Sequence, residues 1–282
     1  MKKESGFTLV ELLVVIAIIA LLMSMLMPAL ARVNEQAKNV ACQVRLRQWG
    51  AIYTMYADDY GGYFFPGSNE ATGLLNDWLM CLKKYYINKE MALCPWATKP
   101  YNVVVGASDN TSLPGPGQNT NHFAWGQLWM WRAMPPELYG MTGSYCFNGY
   151  IANPASPAEM WPTVMKMNEF WRSPAVKSAG IVPIMTDGMW MSSAIGTDTM
   201  CLEPPAAEGM TAFMTVGGIQ RHCVNRHRGT VNSLFLDYSV RPVGLKELWR
   251  IKWHRMHDLN SGPRKAKDWP VWMQGFENFT RN

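Results

Sequence analysis

The sequence predicts an α+β protein in which a long N-terminal helix packs on an antiparallel β-sheet head domain. Two observations predict this fold. Residues 12–31 form a stretch of twenty without charge, long enough for a helix to cross the hydrocarbon core of a membrane. After Gly62 the pattern changes to short β-prone runs separated by Gly, Pro and Asn, which is typical of a sheet domain.

Composition excludes several classes of protein. The chain has 282 residues and is 48% hydrophobic, so it is long and apolar enough to bury a substantial core. The net charge of +5 is spread without a run of five like charges, so no nucleic-acid partner is expected. The six cysteines include no CxxC pair, which disfavours a zinc ribbon or a thioredoxin-type site.

The N-terminal apolar segment contains one charge that needs an explanation. Glu11 lies between Phe7 and Ile16 among apolar residues, where a charge in lipid costs about 2.5–3.5 kcal/mol. Lys2 and Lys3 favour a cytoplasmic N-terminus. A cleaved signal peptide, an uncleaved anchor and a specialised assembly segment all remain open, and only the last accounts for Glu11.

Residues 6–13 read GFTLVELL, which resembles the cleavage and methylation motif of type IV prepilins and type II secretion pseudopilins. The resemblance implies that prepilin peptidase removes residues 1–6 by cutting between Gly6 and Phe7, and that Phe7 becomes the N-methylated first residue. Glu11 would then neutralise the Phe7 amine of a neighbouring subunit. Pro28 matches the proline that commonly interrupts this helix, where it removes a hydrogen bond and is expected to kink or locally melt the helix.

The helical pattern continues beyond the assembly segment of residues 7–31. Over residues 32–62 apolar residues recur every three or four positions, which predicts an amphipathic helix packed on the head. The predicted stripe consists of Val33, Ala37, Val40, Val44, Ile52, Met55 and Tyr56. Gly61 and Gly62 are expected to end the helix after about 80 Å, giving the lollipop shape of the resembled family.

The head domain is assigned to residues 63–282. A short helix is expected over residues 78–86, and strands over residues 144–151, 181–186 and 231–236, with a returning strand over residues 239–243. Near the end, a helical stripe is expected from Leu245, Leu248, Trp249, Trp253 and Met256.

A second resemblance is to prepilin-type proteins that carry an H-x9-DG element. Its pieces are scattered along the chain: Ala41-Cys42, Cys94-Pro95, Ser144-Tyr145, Asp187-Gly188 and His227 with Asp237. Nine residues separate His227 from Asp237, and Tyr238 stands where the family prefers Gly.

His227 and Asp237 are interpreted as structural residues rather than as an acid–base pair. We expect them to satisfy each other or nearby backbone groups at the turn between two strands, since the sequence contains no motif of a known catalytic site. Cys81 and Cys94 are the cysteines closest in sequence, and a bridge between them would close a loop worth about 3 kcal/mol. Buried free thiols are the open alternative for the cysteines. No metal site and no cofactor are expected.

The sequence therefore predicts a non-enzymatic structural subunit of a type IV pilus-like or type II secretion pseudopilus filament. Its expected partners are prepilin peptidase, other pilin-like subunits and the inner membrane. It would cross that membrane once, with the head in the periplasm or on an extracellular filament. Two alternatives stay open: a tethered enzyme, and a tethered binding module whose exposed tryptophans, such as Trp125, Trp129 and Trp131, bind glycans.

Overall fold

The computed structural model describes residues 9–66, 78–101, 123–125, 142–156, 165–193, 203–206, 208, 218–260, 262–263 and 265–276, with the backbone alone at 99–101 and 123–125. Gly6, Phe7, the polar loop of residues 106–120, Cys201 and three tryptophans of interest, Trp129, Trp131 and Trp161, lie outside the described residues.

One helix, α1, runs without interruption from Leu9 to Asp59. Its 51 residues correspond to about 77 Å at 1.5 Å per residue. The predicted glycine stop is confirmed: Gly61 and Gly62 adopt φ of 65° and 85°, and the Gly62 amide donates to the Ala57 carbonyl at 2.7 Å. This bond closes the helix end in the left-handed conformation that glycine adopts without steric cost.

The face of α1 that packs on the head differs from the predicted stripe. The buried residues are Cys42, Leu46, Trp49, Gly50, Ile52, Tyr53, Tyr56 and Ala57. Of the predicted stripe only Ile52 and Tyr56 are buried, whereas Val40, Val44 and Met55 are exposed. The prediction was wrong because two apolar faces run along this helix, and the head covers the one rich in aromatic residues.

Within the described residues, the strands in chain order are β1 Lys99–Tyr101, β2 Phe123–Trp125, β3 Tyr145–Asn148, β4 Pro183–Asp187, β5 Ser192–Ser193, β6 Thr230–Phe235 and β7 Val240–Gly244. The main sheet has the order β5-β3-β4-β6-β7, and β1 pairs with β2 apart from it. The predicted α+β fold is confirmed. The main sheet is mixed, because β5 pairs parallel to β3 while its other pairings are antiparallel.

The second half of α1 lies directly on this sheet. Gly50 permits the approach: a Cβ there would lie 3.1 Å from Leu234 Cδ1 on β6. Aromatic rings fill the contact beside it, with the Trp49 and Trp78 ring centroids 4.9 Å apart and Tyr53 stacked on Phe147. A stalk helix is thereby joined to the head through an aromatic core.

The remaining helices are short. The α-helices are α2 Trp78–Cys81 and α3 Val271–Gln274, and the 3₁₀ helices are Lys83–Tyr85, Lys89–Ala92, Ala179–Ile181, Ile219–His222, Leu245–Trp249 and Ala266–Asp268. The predicted C-terminal helix is therefore only one short 3₁₀ segment. Leu245, Leu248, Trp249 and Trp253 are buried as expected, but Met256 is 61% exposed because the chain leaves the helical path after Trp249.

Candidate functional site

The first half of α1 is an apolar surface that the described part of the head does not cover. Every large apolar side chain from Leu9 to Leu30 is between 45% and 79% exposed. By length and composition this helix qualifies to cross a membrane. The exposure of a whole apolar helix to water is strongly unfavourable, so this surface requires lipid or other apolar helices around it. The structure is consistent with membrane anchoring.

The residues assigned to assembly lie on this surface. Glu11 is in the first turn of α1 and is exposed, so its carboxylate is accessible to a neighbouring chain. Pro28 lies inside α1, and the helix continues through it, so the expected local melting does not occur. The roles of Gly6, Phe7, Glu11 and Pro28 stay predictions.

A second candidate site is a buried polar cluster beneath α1, centred on Asp187 at the end of β4. The Asp187 carboxylate lies 3.0 Å from His227 Nε2 and 3.4 Å from Arg226 Nη1, and accepts a 2.9 Å hydrogen bond from the Asn232 amide. The Cys42 thiol lies 3.7 Å from both carboxylate oxygens. The Cys94 sulfur lies 3.6 Å from the same nitrogen, His227 Nε2.

Burial and charge oppose each other in this cluster. Burial raises the pKa of Asp187, but the His227 and Arg226 cations outweigh it and hold the pKa below its ordinary value. Burial lowers the pKa of His227, but the Asp187 carboxylate reverses this and raises the pKa to about 9. Burial raises the pKa of the Cys94 thiol well above its ordinary value. The cluster is therefore an ion-paired centre in which burial keeps the Cys94 thiol neutral.

Asp237 is not part of this centre. Of the two arrangements expected for His227 and Asp237, mutual contact is wrong, whereas bonding of Asp237 to a neighbouring backbone group is confirmed. The Asp237 carboxylate is exposed in the turn between β6 and β7, where it accepts hydrogen bonds from the Ser239 amide at 3.0 Å and hydroxyl at 2.6 Å. The next residue, Tyr238, has φ of 61°. That is a conformation glycine adopts without steric cost, which gives a physical reason for the Gly preferred at this position in the resembled proteins.

The expected bridge between Cys81 and Cys94 is also absent, since both are free thiols. Cys94 is fully buried and faces Cys42 and His227, whereas Cys81 is half-buried at the end of α2. Closeness in sequence did not bring these two side chains together, because the 3₁₀ turns between them direct Cys94 into the polar cluster.

Several described tryptophans pack inside the head, whereas Trp96, Trp190 and Trp272 are partly buried against its core. Trp49, Trp78, Trp249 and Trp253 are fully buried. The Trp49 and Trp78 indoles donate to the carbonyls of Met91 and Met191, and the Trp253 indole donates to Leu248. In the described part of the head, these side chains therefore act as core residues with a satisfied polar end.

Sequence reasoning missed that the polar residues converge. Cys42, Cys94, Tyr145, Asp187 and His227 were each noted as separate pieces of the second resemblance, and the fold brings them to one place. The pair Cys42 and Asp187 is 145 positions apart, so no local spacing indicates their contact. The recurrence of the same residues in one resemblance was the only available signal.

Comparison with known proteins supports the interpretation of α1. The family described as the prokaryotic N-terminal methylation motif matches residues 1–27. The type IV wide pilus major component PilA4 of Thermus thermophilus is 32% identical over 111 residues, which are 39% of this chain and 79% of that protein. No solved structure matches the chain.

Proposed function

This chain belongs to the type IV pilin and pseudopilin family and is a pilin-like filament subunit, and from that premise we propose that it matures by prepilin peptidase cleavage and N-methylation. It would then join a type IV pilus-like or type II secretion pseudopilus filament through α1. Two observations support the proposal: the matched motif at residues 1–27 and the uncovered apolar surface of α1.

The observation that carries the proposal is how far this surface extends. Beyond the segment long enough to span lipid, Val33, Val40 and Val44 are still 60%, 52% and 42% exposed. They line a groove along α1 together with Arg45 and Met91. An apolar face that continues past the membrane supports contact with helices of neighbouring subunits, whereas a simple lipid anchor would need no such face.

Charge placement and the matched motif at residues 1–27 together support one orientation in the inner membrane, since Arg32 and Lys38 on the far side weaken the charge rule by itself. Lys2 and Lys3 precede the apolar segment and favour the cytoplasmic side for the N-terminus. The head follows on the other side, in the periplasm or on an extracellular filament. Before assembly the subunit would be held in the membrane by α1.

We further propose that the subunit is not an enzyme. Cys94, His227 and Asp187 include the residue types of a nucleophile, base and acid, but Cys94 and Asp187 both approach the same nitrogen, Nε2 of His227. A catalytic triad uses one imidazole nitrogen for each partner. Cys94 is also fully buried, so a substrate has no direct path to its sulfur.

The deciding experiment is N-terminal sequencing with an intact mass of the mature protein. We expect a chain that begins at N-methylated Phe7, whose net charge has fallen from +5 to +4 because Lys2, Lys3 and Glu4 are removed. A mature chain that begins at Met1, or after Ala31, would contradict the proposal.

Two variants sharpen this experiment. Gly6→Val should block cleavage, because the peptidase must accept an extended backbone with no side chain at the cut. Ala31→Val changes the site that a signal peptidase would use and should leave cleavage unaffected. If Ala31→Val instead blocked processing, an ordinary secretory signal would be the correct interpretation.

A further inference from the structure

We propose that Cys42, Cys94, Asp187 and His227 form a closed site for one thiophilic divalent cation, with Zn²⁺ as the best match. The four side chains come from α1, from the turn after the 3₁₀ helix Lys89–Ala92, from the end of β4 and from the segment before β6. The site goes beyond filament assembly and departs from the sequence-based expectation of no metal.

The geometry of the donor atoms carries the proposal. One ligand atom from each residue lies within 4.8 Å of all the others. The sulfur-to-nitrogen separation of Cys94 and His227 is 3.6 Å, and the sulfur-to-oxygen separation of Cys42 and Asp187 is 3.7 Å. Tetrahedral Zn²⁺ with bonds of about 2.0–2.3 Å places its ligands about 3.3–3.8 Å apart. Small side-chain adjustments would therefore suffice to receive the ion.

The donor set selects the metal. Two sulfurs, one imidazole and one carboxylate are ligands that Zn²⁺ accepts in tetrahedral sites, whereas Ca²⁺ and Mg²⁺ require mostly oxygen. All four residues are buried, with Cys42, Cys94 and Asp187 at 0% exposure and His227 at 8%. A fully enclosed set of four protein ligands is typical of a structural metal site rather than a catalytic one.

The charges balance when the metal is bound. Two thiolates and the Asp187 carboxylate carry three negative charges, and the fully buried Arg226 adds one positive charge to the two of the ion. A metal is bound by thiolate sulfur and by neutral imidazole, so the charge count uses these forms of the ligands. The loaded centre would be electrically neutral, as burial requires.

Neighbouring groups hold the ligands in position. The Asn232 amide donates to Asp187 Oδ2, and the Tyr145 hydroxyl lies 3.3 Å from the Cys42 sulfur, where it can donate to a thiolate. Such outer contacts orient ligands and stabilise their charged forms. A cleft of about 270 Å³, lined by residues that include Arg32, Glu35, Trp96 and His227, leads to the His227 edge of the site.

The metal would link α1 to the main sheet of the head. Cys42 is the first buried residue of α1, so the ion would attach the helix to the sheet at the point where the helix leaves the head. A bound ion there would stabilise the folded head by linkage, because the unfolded chain cannot present the four ligands together.

The test uses the full-length protein in detergent, stripped of metal by a chelator under reducing conditions and then titrated with Zn²⁺ or with Co²⁺ as a spectroscopic probe. We expect one ion per chain, a tetrahedral Co²⁺ spectrum with thiolate charge transfer, and a higher melting temperature with Zn²⁺ than after chelation. Cys94→Ser and His227→Gln should each weaken binding at least tenfold. The matched control Cys81→Ser changes a thiol outside the cluster and should bind as wild type does.

Three results would overturn the proposal. The first is a wild-type protein that gives no tetrahedral Co²⁺ spectrum and no thermal shift, a readout that does not depend on whether the variants fold. The second is equal loss of binding in Cys81→Ser and Cys94→Ser. The third is a disulfide between Cys42 and Cys94, found by peptide mass mapping of the protein taken directly from membranes without reduction.

Discussion

Asp187 receives contacts from three separate segments of the chain, namely Cys42 on α1, the pair Arg226 and His227, and the Asn232 amide on β6. A buried carboxylate with this many partners contributes more to the free energy of unfolding than an exposed one does. Removing one partner of a buried ion pair costs about 3–5 kcal/mol, since it leaves a charge without compensation. Asp237, which bonds Ser239 in an exposed turn, contributes less to the stability of the fold.

His222 offers a residue-scale prediction about pH. Its ring is fully buried between Thr186, Ser193 and Trp253, and burial lowers its pKa to about 3, with Arg221 adding to the effect. The unfolded chain takes up this proton below about pH 6.5 while the folded chain does not. The free energy of unfolding should therefore fall as the pH falls through this window, by about 2 kcal/mol between pH 7 and pH 5 from this group.

The measurement is urea unfolding of wild type and His222→Gln at both pH values, followed by tryptophan fluorescence. Glutamine does not titrate and still offers a donor and an acceptor to Thr186 and Ser193. The variant should show a smaller pH dependence by about one proton. An identical pH dependence in the two proteins would show that His222 is not the titrating group.

At the scale of elements, the end of β4 shows why Asp187 is followed by glycine. Gly188 passes directly over Cys146 on β3, and a Cβ at Gly188 would meet the Cys146 side chain and lie 2.8 Å from the Arg221 carbonyl. Neither neighbour can move freely, since Cys146 is fully buried and the Arg221 carbonyl accepts a bond from the Met189 amide. The Gly therefore serves a close approach between elements.

Gly188→Ala should accordingly destabilise the head by about 1–3 kcal/mol, the usual cost of overpacking a filled core. Gly275→Ala is the matched control, because Gly275 has φ of −74° and a Cβ there would meet nothing within 4 Å. We expect the control to be neutral or slightly stabilising. Equal unfolding midpoints for the two variants in urea would contradict this explanation of Gly188.

At the scale of the whole molecule, one continuous helix serves two environments. Its first half is uncovered and apolar, and its second half is part of the core of the head, so the two are mechanically one element from Leu9 to Asp59. Force or displacement at the apolar end would be transmitted to the sheet through Trp49, Gly50 and Tyr53. The head would therefore be held to a filament through the core residues that it shares with α1.

Glu11→Ala tests whether Glu11 pairs with the Phe7 amine of a neighbouring subunit during assembly. Loss of the carboxylate should leave cleavage largely intact but strongly reduce incorporation into filaments, because the Phe7 amine of a neighbouring subunit would lack its counter-charge in an apolar environment. Glu35→Ala is the control on the same helix, since Glu35 forms a surface ion pair with Arg228, worth at most about 1 kcal/mol. The readout is the ratio of filament-bound to membrane-bound subunit. Normal incorporation of Glu11→Ala would rule out the pairing.

The sequence by itself determined the features that depend on local composition and spacing. Residues 12–31 specify an apolar helix because length and the absence of charge are sufficient, Gly61 and Gly62 end it, and alternating runs place β3, β4, β6 and β7 within two or three residues. The tertiary structure alone decided which face of α1 is buried, that His227 meets Asp187 rather than Asp237, and that Cys94 meets Cys42 rather than Cys81. These contacts join distant segments, such as Gln43 on α1 and Asn232 on β6, which are 189 positions apart. Topology sets which side chains meet over such distances, whereas periodicity acts only within one element.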